Sequence, residues 1–68
     1  VTVEEAREGM AGELRRLAVA RRESADGREL LATRTRRTIE HAQVYLTMTE
    51  IARLLEMDRS AMYRTFVQ

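Results

Sequence analysis

The sequence contains no cysteine, proline, tryptophan, asparagine or lysine, and only three glycines among its 68 residues. Without cysteine there is neither a disulfide framework nor a thiolate zinc site, and a cytoplasmic setting fits. With no proline and little glycine, strands and tight turns have few punctuation marks. The abundance of alanine, leucine, arginine and glutamate instead gives the vocabulary of an all-α fold. No apolar run approaches the roughly 18 to 20 residues that cross a bilayer, and the opening VTVEEAREGM carries no basic leader. A membrane role is not expected. Residues 1–68 make one helical domain, too short for a multidomain enzyme. A chain of this size buries only roughly 60% of its unfolded surface, so a homodimer is expected to supplement a thin core.

What is present is charge, all of the basic part as arginine: 12 arginines against 11 acids, net +1. The charge is uneven. Residues 1–33 hold six arginines and seven acids (−1), and residues 34–68 hold six arginines and four acids (+2). The second half is the better partner for a polyanion, but neither figure argues for nucleic-acid binding unaided. Spacing has to carry that case.

Four helical segments follow from periodicity and end signals. From Val3 to Ser24, the residues Val3, Ala6, Met10, Leu14, Leu17 and Ala18 form one stripe at steps of three and four. Gly9 and Gly12 interrupt this helix at about 1 kcal/mol each. They imply either fraying or a close approach by another helix, including that of a second subunit. Residues 1–25 are therefore a candidate dimerisation helix, and 26–68 a helix-turn-helix unit. Asp26 and Glu29 have capping-box spacing and begin a second helix. Its buried stripe is Leu31, Thr35, Thr38, Ile39, Ala42, Tyr45 and Leu46, and its threonines allow a bend near Arg34. Thr47 and Glu50 form a second capping box, with Leu46 stapled to Ile51, and open a helix over 48–55 in which Ile51, Ala52, Leu54 and Leu55 face inward. Asp58 caps a fourth helix over 59–67, with Met57 and Met62 as its staple pair.

Two short helices joined by three residues after a longer helix make the trihelical helix-turn-helix arrangement. Ala52 is small where the two short helices cross, and Met57 plugs the turn. Residues 51–66 resemble the helix-turn-helix of the tetracycline-repressor family and of the serine invertases. The resemblance rests on Met62, Tyr63, Arg64 and Phe66, which follow those families' leucine-tyrosine-arginine-x-phenylalanine ending. It implies double-stranded DNA as partner and transcription regulation as role, with no ligand-sensing or recombinase domain expected beside it. Those families usually have glycine in the turn, in a left-handed conformation. Glu56 stands here, so a differently built turn is expected.

Docked in the usual way, Arg59 and Ser60 lead the fourth helix into the major groove, Arg59 suiting guanine O6 and N7. Tyr63 and Arg64 follow one turn on, and the resemblance implies that the tyrosine and its neighbours touch phosphate or base. Thr47 and Thr49, with the amides at their helix start, suit a phosphate. Arg53 and the run Arg34, Arg36, Arg37 suit phosphate clamps, or for the run an equally ordinary solvated face. Met48, Met57 and Met62 read as packing residues, and Tyr63 as part core. His41 stands alone, so no metal site is expected and no cofactor is implied. Ser24 and Ser60 have no base at a catalytic spacing and the glycines form no phosphate loop, so no enzyme is expected. The other class of function open to these helices is a protein-interaction module binding a polymerase or a larger regulator.

Overall fold

A computed structural model describes residues 1–24 and 28–67, with the backbone alone at 28 and 29. It is all-α: four helices and no strand among the described residues. They are α1 (Val3–Glu23), α2 (Arg28–Ala42), α3 (Met48–Leu54) and α4 (Arg59–Met62), the last running straight into a π-helical turn at Tyr63–Val67. No helix among them is long and apolar enough to cross a membrane. The capping box at Asp26 and Glu29 lies outside the described residues.

The first helix is longer and steadier than its glycines suggest. Thr2 caps it, its hydroxyl accepting from the Glu5 amide at 3.1 Å. The helix then continues unbroken through Gly9 and Gly12. At about 1.5 Å per residue, its 21 residues set the longest dimension of the molecule, 36 Å. No helix approaches either glycine closely: the space beside Gly9 is open, and Gly12 meets only the Arg16 guanidinium. Within the described residues the helix is continuous and no other helix packs against either glycine.

One core serves all four helices. Leu14 and Leu17 of α1, Ile39 and Ala42 of α2, Ile51, Ala52 and Leu55 around α3, and Met62 and Phe66 at the end form a single buried cluster, joined by Leu46. Leu14, Leu17 and Ala18 of the α1 stripe are thus buried inside the protein, and Ala6 and Met10 are half-buried. Only its start stays outside, Val3 being 66% exposed. Along α2 the periodicity holds for Thr35, Thr38, Ile39 and Ala42. The helix stops at Ala42, however, and the following turn brings Leu46 inward and leaves Tyr45 exposed. Thr35 and Thr38 are buried without cost in unmet polarity, because their hydroxyls donate back to the carbonyls of Leu31 (2.6 Å) and Arg34 (3.0 Å).

Because nothing occupies the space beside Gly9, the helix there gains from a better helix former. Gly9→Ala is expected to raise stability by about 0.5–1 kcal/mol in urea unfolding. A loss would mean that a second chain packs against that glycine.

Candidate nucleic-acid interface

The end of α3 fixes where α4 points. The Glu56 amide donates to the Arg53 carbonyl at 3.1 Å and the Met57 amide to the Ala52 carbonyl at 3.0 Å. These paired bonds are the Schellman closure of a helix. They require a left-handed residue between them, and Glu56 adopts it, with φ 59°. The turn is therefore built as the glycine-bearing turns are, against the expectation from sequence, and glutamate carries a backbone cost of about 1–2 kcal/mol. An exposed ion pair to Arg22 at 2.7 Å offsets a little of it. Two residues on, Asp58 Oδ1 accepts from the Ala61 amide at 2.7 Å and starts α4. Met57 half-buries in the turn and Met62 is fully buried, as the staple spacing implies.

With Met62 and Phe66 facing inward, α4 and its π turn present Arg59, Ser60, Tyr63 and Arg64 along one outer edge. Arg59, Ser60 and Arg64 are exposed, and Tyr63 is half-buried against the core. The Arg59 guanidinium sits over the Tyr63 ring, 5.7 Å from its centroid. The sequence pattern suggests uniform helix to Val67. Instead the last turn widens, with Phe66 buried and its carbonyl accepting from Arg36 Nε at 3.1 Å.

Other expected contacts are placed less favourably. Thr47 and Glu50 complete their capping box: the Thr47 hydroxyl accepts from the Glu50 amide (3.2 Å), and the Glu50 carboxylate accepts from the Thr47 amide (3.0 Å). The Thr47 backbone bond, then its hydroxyl, then Arg7 and Arg53 hold the Glu50 carboxyl below its ordinary range. The Thr47 amide is thereby occupied by the Glu50 carboxylate, which Arg7 in turn pairs at 3.0 Å. Thr49 and Arg53, four apart on α3, are both exposed. The arginine run on α2 splays, since successive residues turn by roughly 100°. Arg36 leans on the π turn at Phe66, whereas Arg34 and Arg37 share a groove with Leu30 and Thr33, Arg34 also reaching Glu13, Arg16 and Leu17 of α1. Arg36 is thus directed away from the groove that Arg34 and Arg37 share.

Sequence spacing missed the arginines of α1. Arg7 bonds the Tyr45 carbonyl (2.9 Å) and Glu50 (3.0 Å) at the start of α3, and Arg22 bonds Glu56 at its end. Arg21 lies between the turn and the last helix. Its guanidinium is 3.0 Å from the Met57 sulfur and 4.9 Å from the Phe66 centroid. These partners are 34 to 45 residues away, beyond any local pattern. Two of the acids around the motif are thereby neutralised by α1.

Comparison with known proteins yields no match: no family model, no curated protein and no solved structure matches the chain.

Two outcomes test this geometry. Glu56→Gly, which removes the left-handed strain at the loss of an exposed ion pair, should stabilise the protein by about 0.5–1 kcal/mol. Glu56→Val should destabilise it by more than 1 kcal/mol. The depressed Glu50 carboxyl contributes stability that is complete above the ordinary glutamate range and is lost as pH falls through its lower folded value. An acid-unfolding series should therefore show Glu50→Gln with a flatter decline below that range than the parent, and lower stability at neutral pH.

Proposed function

We propose that the protein binds double-stranded DNA through α3 and α4, as a small transcriptional regulator acting as a dimer on two related half-sites. The observation that carries this reading is the outer edge of α4. A capped first turn begins it, the Schellman turn at Glu56 aims it, and Arg59, Ser60 and Arg64 project from it without a carboxylate partner among the described residues. An arginine at the start of a helix that enters the major groove suits guanine, and a second arginine one turn on suits base or phosphate. The resemblance of residues 51–66 to the tetracycline-repressor and serine-invertase motifs supports the same assignment. Dimerisation enters because one such helix reads too few base pairs to compete with random sites.

A second reading is favoured by one specific observation. Leu30 on α2 (78%) and Val44 in the turn after it (75%) are exposed, apolar side chains that suit a protein partner better than a polyanion. Salt dependence separates the two, since phosphate contacts release counterions and apolar contacts do not.

Selection from a random duplex pool, followed by binding over a salt series, is the direct test. On the selected site, Arg59→Ala should relax preference at one base position by about 1–3 kcal/mol. Arg64→Ala should weaken all duplexes alike and reduce the salt slope by about one. Equal losses on selected and random duplexes for both variants would reject the assignment, and no salt-dependent binding at low ionic strength would favour the protein partner.

A further inference from the structure

The α4 edge carries two exposed arginines in unlike settings. Arg64 has open surroundings, whereas the Arg59 guanidinium rests over the ring of Tyr63, four residues on, at 5.7 Å. That distance lies within the cation–π range of about 6 Å. The ring is fixed from beneath, because Tyr63 is half-buried and packs against the core. Among the described residues no carboxylate forms an ion pair with this guanidinium: Asp58 Oδ1 accepts from the Ala61 amide at 2.7 Å, and Glu56 pairs with Arg22 at 2.7 Å. One arginine of the edge is thus held in place before any ligand arrives, and the other is not.

We infer that Tyr63 is a positioning residue for Arg59, its ring holding the guanidinium so that the arginine fork reaches a guanine with most of its rotamer freedom already surrendered. The assignment rests on the DNA-binding reading and deepens it. Bidentate recognition of guanine needs the planar fork in one orientation, so narrowing its rotamers beforehand strengthens discrimination rather than general affinity. A phosphate contact tolerates a mobile partner, which suits Arg64. The two arginines therefore divide the work, and the aromatic ring selects which of them reads sequence.

The test uses the full chain, with the selected duplex and a duplex changed at the position that Arg59→Ala relaxes. The ratio of the two affinities is the readout. Tyr63→Phe, which keeps the ring and removes only the hydroxyl, should preserve the ratio. Tyr63→Leu, which keeps an apolar body against the core, should lower it roughly two- to fivefold, the size of an exposed cation–π contact. The ratio rather than the affinity for random duplexes is the readout, because Tyr63 itself lies on the edge and its loss can weaken every duplex alike. The stack also has a signature that needs no variant: in the free parent protein the Arg59 side-chain methylene protons should be shifted by the ring current of Tyr63. An unchanged or raised ratio in Tyr63→Leu, or no ring-current shift in the parent, overturns the positioning role while leaving DNA binding intact. A parent protein that binds no duplex overturns the functional reading, and this assignment with it.

Discussion

The Met57 amide on the Ala52 carbonyl, with a left-handed Glu56 between the two, is the constraint from which the geometry of the second half follows. Closing α3 in this way reverses the chain within three residues and sends it into Asp58, which caps α4. Met57 turns into the core and Met62 follows it, so the opposite edge of α4 faces outward without further instruction. A glutamate tolerates the left-handed region poorly. That it is found there at all means the packing on both sides, Ala52 and Leu55 before it and Met62 after it, outweighs the local preference of one residue.

The first helix makes that arrangement firm. Its apolar stripe supplies Leu14 and Leu17 to the common core, and its arginines brace α3 at both ends. Arg21 adds a contact to Met57 and to the face of Phe66, bridging the turn and the last helix. Exposed ion pairs such as these contribute little stability each. Their effect is on orientation: they withdraw Glu50 and Glu56 from the charge seen by an approaching anion.

Much of this was legible in the sequence, where the relevant physics is local. The capping pairs Thr47 with Glu50 and Asp58 with Ala61, the staple from Leu46 to Ile51, and the inward sets Ile51, Ala52, Leu55 and Thr35, Thr38, Ile39, Ala42 depend on spacings of three and four residues, and the structure has them. Two kinds of feature were not legible. The left-handed Glu56 defeats composition, because residue type points away from the conformation that tertiary packing imposes. The α1 stripe and its arginines defeat periodicity, because an amphipathic pattern tells that a face is buried but not against what. For the candidate site the same division holds. Arg59, Ser60 and Arg64 were placed on an outer edge by helical phase alone, whereas the diversion of Arg36 to the Phe66 carbonyl and the occupied amide at Thr47 needed coordinates.

That a single core is shared by α1 and by the two short helices has a consequence for turnover. Met62 of α4 and Phe66 of the π turn belong to the same cluster as Leu14, Leu17, Ile39 and Ile51, so the packing of the last turns depends on that of the first helix. A domain of this size melts as one cooperative unit with a small free-energy reserve. A cell would then tune how many molecules survive proteolysis rather than how any one of them is folded, and every substitution in the shared cluster would alter abundance before it altered recognition.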